Sequence, residues 1–451
     1  MIEKVDPFVH GKNVLILGFG REGRSTWQVL KRLGTCRRVD IADQKPLEEK
    51  PQGVGRVICG PGYQEAMDEY DVVFKSPGII LERPFESYAC KILSQTQVFF
   101  SLFKDQIIGI TGTKGKSTTT SLLYHVLKAG GAKVLLAGNI GIPAFDQIEE
   151  VEPGTKIVFE LSCHQLEYMT VSPHTALLLN IYEEHLDHYG SMERYAAAKE
   201  RIYRNQGPED VLFCSAQCLP PPGACPGRLI RALAGEGEAE LALLEGPKGR
   251  WDVRFAGGCY EIPADRIRLK GSHNYFDIAM VYGVCRLLGM DNKAFEAGLL
   301  SYEPLPHRLQ FVGERNGVLY YDDSISTICE TTMEALKTLK DVDAVLIGGM
   351  DRGICYGSLI DFLSSHPVPY IILMEETGAR IYREILARGE GFSRPERLVL
   401  AGHLAEAVEA ARRRARPGRS CVLSPAAASY GAFKNFEERG KEFARLALKE
   451  P

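Results

Sequence analysis

Residues 107–123 read IIGITGTKGKSTTTSLL, from Ile107 to Leu123: an apolar run of strand length, a glycine-rich turn, and a helix that opens on hydroxyl side chains. A turn built on Gly112, Thr113, Lys114 and Gly115 lets backbone N–H groups converge on an anion. Lys116 adds a point charge, and Ser117 or Thr118 offers a hydroxyl to Mg²⁺. The first glycine of the common phosphate-loop pattern is replaced by Ile110. The stretch predicts a nucleotide triphosphate site. A ligand-free strand-to-helix turn is the bland alternative, and the Lys-Ser pair after the second glycine weighs against it.

Downstream, the pattern predicts strands over 133–137, 157–161 and 175–181 beside one at 107–110, with a helix over 118–129. Strands alternating with helices build a mostly parallel sheet, in which ligands gather at the carboxyl ends of the strands. Three such ends are chemically dense: Gly138-Asn139-Ile140-Gly141, Glu160-Leu-Ser-Cys-His-Gln165, and Asn180-Ile-Tyr-Glu-Glu-His-Leu-Asp-His188. From 215 to 267 the texture turns to Pro, Gly, Ala and short alternating runs, which predicts a small antiparallel appendage. A helix with apolar positions Ile278, Val281, Cys285 and Leu288 follows Gly271-Ser-His273-Asn274.

Upstream, the run Asn13-Val-Leu-Ile-Leu-Gly18 leads into Phe19-Gly20-Arg21-Glu22-Gly23, then an amphipathic stretch over 26–33 and a second strand ending at Asp43. Gly18, Gly20 and Gly23 fit G-x-G-x-x-G. Alone this reads as an NAD(P)-dependent Rossmann oxidoreductase, yet the same glycines serve any ligand whose pyrophosphate sits on a helix N-terminus, UDP-sugars included. Residues 1–98 are expected to form a small Rossmann-like domain and 99–303 the central nucleotide domain. Pro304 and Pro306 precede a third alternating unit over 304–451, with strands over 318–321, 344–347, 370–374, 397–400 and 421–423 and helices over 330–339 and 404–415. The fold class is α/β in three domains.

Bulk properties narrow the partners. A chain of 451 residues exceeds one hydrophobic core, and a net charge of −4 gives no pull toward nucleic acid or an anionic membrane. Twelve cysteines are scattered without a C-x-x-C pair, which predicts reduced thiols in a cytoplasmic protein. Cys214, Cys218 and Cys225 match no familiar zinc spacing. No apolar run approaches the ~20 residues of a membrane helix.

Several residues allow two readings. Glu160 is either a magnesium ligand or a solvated strand-end carboxylate. His185 is a second ligand or an ordinary loop histidine. Lys199, in an alanine-rich helix, reads as solvated, and Asn274 either meets a base edge or caps its helix, capping being favoured. His307-Arg308 at a proline-rich junction, with Asp322-Asp323-Ser324 after a strand, suggests an arginine that stabilises a transferring phosphoryl group, or an interdomain salt bridge.

Taken together, G-F-G-R-E-G-R-S, S-P-G-I at Ser76–Ile79, T-G-T-K-G-K-S, G-N-I-G, E-L-S-C-H-Q-L-E, N-I-Y-E-E-H-L-D-H-Y, A-A-A-K-E-R-I-Y, G-S-H-N, L-P-H-R, D-D-S, I-G-G-M-D-R-G and S-P-A-A-A-S-Y-G-A-F-K-N-F-E-E-R-G resemble the Mur ligase family over nearly the whole chain, closest to its glutamate-adding branch. The resemblance implies a monomeric, ATP-dependent amide ligase of peptidoglycan synthesis that joins D-glutamate to UDP-N-acetylmuramoyl-L-alanine through an acyl phosphate. By the same resemblance, Lys116, His185, Lys199 and Arg308 are catalytic, and Asn274, Arg308 and Asp323 contact ATP beside the loop. Ser117, Glu160, His185 and a carbamylated Lys199 hold two Mg²⁺. The UDP substrate meets Gly20, Arg21, Asp43, Asn139 and His185, and glutamate meets Thr327, Arg352, Ser429 and Phe436.

The chain departs from that pattern where the family usually has D-S-K-A-T-N and this sequence has Asp323-Ser-Ile325-Ser-Thr327-Ile328, and where Arg352 stands for a lysine. One cation is lost and another changes from point charge to fork, so L-glutamate or another amino acid is the nearest alternative. A folylpolyglutamate synthase-like ligase, the oxidoreductase and a nucleotide-dependent switch are remoter readings.

Overall fold

The computed structural model describes residues 1–339, 341–388 and 395–449. They form three sheets in an α/β architecture, and the chain divides into two compact units. One comprises Met1–Arg268 with His273–Tyr302; the other comprises Leu269–Ser272 with the chain from Glu303 onward.

The first unit holds two sheets. The N-terminal sheet is all parallel, in the order β3-β2-β1-β4-β5, from β1 (Asn13–Leu17), β2 (Arg38–Asp43), β3 (Val57–Cys59), β4 (Val72–Lys75) and β5 (Lys91–Leu93). Chain order reverses between β1 and β4, the switch point at which open α/β sheets place ligands. Helix α1 (Arg21–Leu33) begins at Arg21, five residues before the predicted start. The glycine turn hands the chain directly to the helix, and Gly20 is its N-cap.

The central sheet has nine strands: β6 (Ile107–Thr111), β7 (Val134–Gly138), β8 (Lys156–Glu160), β9 (Thr175–Leu178), β10 (Val211–Ser215), β11 (Arg228–Ala234), β12 (Leu241–Glu245), β13 (Trp251–Phe255) and β14 (Gly258–Ile262), in the order β14-β13-β12-β11-β10-β9-β6-β8-β7. The predicted antiparallel appendage is corrected here. β11 and β12 continue the parallel sheet beyond β10, and only the pairings of β13 with β12 and with β14 are antiparallel. The alternating burial of β11 reports that one face is covered; strand direction is set by the connections, which periodicity does not encode. Helices α2 (Gln95–Phe103) and α3 (Lys116–Ala129) follow the Rossmann sheet and β6. One apolar cluster joins Ile16 and Phe74 to Phe100 and Phe159, so these two sheets share a core. Phe74 meets Phe145 edge-on at 6.5 Å.

The second unit carries six strands: β15 (Gln310–Arg315), β16 (Val318–Asp322), β17 (Val342–Gly348), β18 (Tyr370–Met374), β19 (Leu398–Ala401) and β20 (Ser420–Leu423), in the order β15-β16-β20-β17-β18-β19. Five are parallel, and β15 pairs antiparallel with β16. Apolar clusters cover both faces, one centred on Val345 and Ile371, the other on Leu346 and Ile372, the alternation a doubly covered strand requires. The sequence reading did not place β15 or the helices Gly357–Ser365, Glu375–Ala387 and Phe436–Leu448.

Candidate active site

The phosphate loop lies at the carboxyl end of β6, between β9 and β8 in the central sheet, and α3 starts at Lys116, two residues earlier than predicted. Gly115 is its N-cap with φ of 81° and ψ of −15°, left-handed backbone that favours glycine. A Cβ there would also lie 2.7 Å from Asp277 Oδ1.

The loop is held open by the neighbouring strand end. β9 stops at Leu178 instead of running on to 181, and Asn180 turns its carboxamide inward. Its Oδ1 accepts from the N–H groups of Thr113 at 3.0 Å and Lys114 at 2.8 Å, while its Nδ2 donates to Lys114 O at 3.1 Å. The Thr113 hydroxyl accepts from Tyr182 N at 2.9 Å and lies 3.0 Å from the Tyr195 hydroxyl. Lys114 Nζ pairs with Glu184 Oε1 at 3.2 Å. Sequence reasoning quoted Asn180 within a dense strand end but assigned it no role.

Two ammonium groups converge on the loop. Lys116 Nζ donates to Thr113 O at 2.9 Å, and Lys199 Nζ donates to Gly112 O at 2.8 Å. The expectation of a solvated Lys199 is overturned. It lies on α5 (Met192–Arg204; α4 being Cys163–Leu166), is 1% exposed, and sits 4.9 Å over the Tyr195 ring. Burial, reinforced by the nearby Lys116 charge, pulls its pKa down to about 7. Burial also lowers that of Lys116, against the opposing pull of Glu160 and Glu184.

Glu160 ends β8 and is 1% exposed, not solvated. Its Oε1 accepts from Asn139 Nδ2 at 2.7 Å, and its Oε2 is buried without a hydrogen-bond partner. An orphaned carboxylate oxygen suits a hard cation, and Ser117, partly buried, stands one residue into α3 after Lys116. Among the described residues no three His, Cys, Asp or Glu side chains gather as a metal cage. Mg²⁺ characteristically binds through one or two carboxylates with phosphates and water completing its shell. His185 is exposed, adopts φ of 57°, and its ring lies 4.9 Å from that of His164 and 6.1 Å from that of Tyr195. Asn274 is buried within α6 (Ser272–Leu287), in its first turn and past the capping position, so the capping reading is withdrawn.

At the glycine turn of the N-terminal sheet, Asp43 accepts from the backbone N–H of Phe19 at 2.7 Å through Oδ2 and from that of Lys45 at 2.9 Å through Oδ1. Arg21 donates to Gly141 O at 2.9 Å, joining Gly20 and Arg21 to the G-N-I-G strand end that carries Asn139.

In the second unit, the segments after β16, β20 and β17, three adjacent strands, hold the remaining residues except Arg308, which precedes β15. Asp323 is 3% exposed and accepts from Ser424 Oγ at 2.7 Å and Leu309 N at 3.1 Å; burial pushes its pKa up to about 6. Arg308 Nε is buried with no hydrogen-bond partner. Arg352 is exposed and reaches Thr327 O at 3.5 Å, and a bridge between Met350 and Ala428 brings its loop beside Ser429. Ser324 Oγ donates to Phe436 O at 3.0 Å.

Beneath these loops lies Arg439, which sequence reasoning missed. It is fully buried, donating to Ala428 O at 3.2 Å, Ala427 O at 3.0 Å and Ser324 O at 2.8 Å. Burial draws its pKa down to about 10, with Glu375 and Asp322 acting against that pull. The signal for it is Gly440, a glycine inside a helix, where a Cβ would lie 2.2 Å from both Asp322 Oδ2 and His307 Nδ1.

The chain is similar to known proteins of one family. Residues 110–219 match the Mur ligase middle domain. The chain is 34% identical over 467 residues to a UDP-N-acetylmuramoylalanine–D-glutamate ligase of Geobacillus kaustophilus, with 99% of each chain covered. It is 32% identical over 452 residues to one of Streptococcus agalactiae, with 96% of each covered. Among solved structures, MurF from Acinetobacter baumannii superposes with a TM-score of 0.61 at 17% identity, covering 98% of this chain and 91% of that one. MurF from Thermotoga maritima, in complex with ADP, gives 0.60 at 16% identity, covering 98% and 97%.

Proposed function

The chain belongs to the Mur ligase family, and from that premise we propose that it joins glutamate to UDP-N-acetylmuramoyl-L-alanine at the expense of ATP in peptidoglycan synthesis. The observation that carries the reading is the pairing of Lys116 and Lys199 on the carbonyls of one phosphate loop, beside a buried Glu160 with an unused oxygen.

The substrate carboxylate attacks the γ-phosphorus of ATP, and ADP leaves with the electrons of the β,γ-bridge. The glutamate amine then attacks the acyl carbon, phosphate departs, and the amine loses a proton. Two anions must meet in the first step. Lys116 places positive charge where the γ-phosphate oxygens lie, and the loop N–H groups, fixed by Asn180, need no reorganisation as charge develops. We assign Ser117 and Glu160 to one Mg²⁺, and His185 with Lys199 to a second. The ions, when bound, supply charge neutralisation between carboxylate and triphosphate.

A lysine ammonium cannot ligate a cation, so this role requires a Lys199 carbamate. Carbamate formation consumes the neutral amine, and a pKa near 7 leaves that form abundant at neutral pH. By the family motifs we assign Asn274, Arg308 and Asp323 to ATP, Gly20, Arg21, Asp43, Asn139 and His185 to the UDP substrate, and Thr327, Arg352, Ser429 and Phe436 to the amino acid.

Phosphate release from ATP, measured with UDP-N-acetylmuramoyl-L-alanine and either D-glutamate, L-glutamate or neither, tests the reaction. Strict dependence on D-glutamate is expected, and release indifferent to both amino acids sinks the ligase reading. Ile325 and Arg352 favour a second reading, in which L-glutamate is the enantiomer used; the same assay decides it.

A further inference from the structure

Lys75 ends β4, opposite Leu17 of β1 across the switch point of the N-terminal sheet. It is 5% exposed and lines a cleft with Pro77, Ser94, Gln97, His164, Gln165 and Tyr168. An ammonium has three N–H donors. Two of those of Lys75 are directed at the carbonyls of its own turn, Ser76 O at 3.3 Å and Pro77 O at 3.2 Å, and the Tyr168 ring lies 5.4 Å away.

No carboxylate among the described residues lies within ion-pair distance of it. The two that offset its charge from further off bond to other groups, Glu167 Oε2 to His188 at 3.2 Å and Glu22 Oε1 to Gln165 Nε2 at 2.8 Å, and the second Glu22 oxygen is buried without a hydrogen bond to Lys75 or any other described group. Burial lowers the pKa of Lys75 to about 8 and raises that of Glu22, so this charge is held in the interior against its preference. A buried cation with a donor to spare, beside a cleft, is an incomplete ion pair. It is completed by an anion brought from outside.

We propose that Lys75 is a specificity-determining cation of the UDP-substrate site, its free N–H taking an oxygen of the substrate diphosphate. The proposal rests on the ligase reading. The diphosphate is the ligand because Lys75 ends β4 opposite Leu17, the last residue of β1, and the hydroxyl of the adjoining Ser76 donates to Gly18 O at 2.9 Å, so the cleft beside β4 and β5 adjoins the glycine turn that leads to the N-terminus of α1, where pyrophosphates bind.

The test compares the full-length protein with Lys75→Met, measuring by titration calorimetry and competition the binding of uridine, UDP and UDP-N-acetylmuramoyl-L-alanine. Methionine keeps the length and the apolar stem, and losing an unpaired buried charge does not oppose folding; Lys75→Gln replaces it if that variant does not fold. The expected result is a loss of about tenfold in affinity for UDP and for the sugar nucleotide, with uridine binding and the KM for ATP unchanged. UDP affinity within twofold of wild type overturns the proposal, and so does an equal loss for uridine and UDP, which would mean that Lys75 only shapes the cleft. Wild-type protein that binds neither UDP nor the sugar nucleotide overturns the ligase reading itself, an outcome distinct from the other two.

Discussion

The glycine turn after β1 and the phosphate loop after β6 are built alike, each a parallel strand, a short glycine-rich turn and a helix whose free N–H groups face the turn. They differ in what surrounds the helix start. The central loop carries Lys114, Lys116 and Lys199, with the unused oxygen of Glu160 nearby, and Asn180 braces its backbone. At the N-terminal turn the backbone is braced by a carboxylate, Asp43, and the nearest buried cation is Lys75 on the adjoining strand. A helix N-terminus therefore selects for negative charge in general, and the neighbouring side chains decide how much charge and whether a metal comes with it.

The contrast is broken most severely by Lys116→Met, which removes one of the three cations of the central loop. The rate of phosphate release should fall by about a hundred- to a thousandfold, with UDP binding measured by calorimetry unchanged. A loss below tenfold would leave the two turns functionally equivalent.

Lys199→Met comes next, with a fall in rate of about a hundredfold. It also separates the sites by pH. The amine is held near 7 in the folded chain against 10.5 when unfolded. The unfolded chain therefore binds more protons across that interval, and this group makes stability rise with pH between those values. In CO₂-free buffer, which leaves Lys199 as the free amine, denaturant midpoints should climb more steeply with pH in wild type than in Lys199→Met; parallel curves would show that the amine keeps its ordinary pKa.

Asn180→Ala strips the brace from Thr113 and Lys114 and should cost about 1–3 kcal/mol of stability. It should also raise the KM for ATP, with the KM for the UDP substrate unaltered. The smallest change expected is in Asp43→Asn, which keeps one acceptor for Phe19 N. The KM of the UDP substrate should rise by about two- to fivefold, roughly the loss of half a charge-assisted bond, and the KM for ATP should stay fixed.

The two turns were also unequal in how plainly they read. The central loop was legible because its residue types, order and spacing are themselves the chemistry: a strand, two glycines, a lysine and a hydroxyl. The α/β alternation was legible for the same local reason. Lys199 was not, because burial of one lysine in an alanine-rich helix is decided by which surface packs over it. Asn180 stood in plain view at a strand end, and only the shortened β9 reveals that its carboxamide turns back onto the loop. The strands β11 and β12 alternate as any half-covered strand does, so their parallel direction was hidden until the connections were seen. In the second unit the departures at Ile325 and Arg352 were visible at once, whereas the guanidinium beneath them was signalled only by a neighbouring glycine.

That guanidinium has a consequence for how this enzyme can diverge. Arg439 ties the loop holding Ser324 to the loop holding Ala427 and Ala428 through three carbonyls, so neither can lengthen or shorten without breaking the shared anchor. Residues outside the anchor, Ile325 and Arg352 among them, make none of those bonds. Under the proposed assignment of these loops to the amino acid, drift in preference is steered into side-chain replacement on a frame of constant loop length, a route by which single substitutions can explore new acceptors without a refolded pocket.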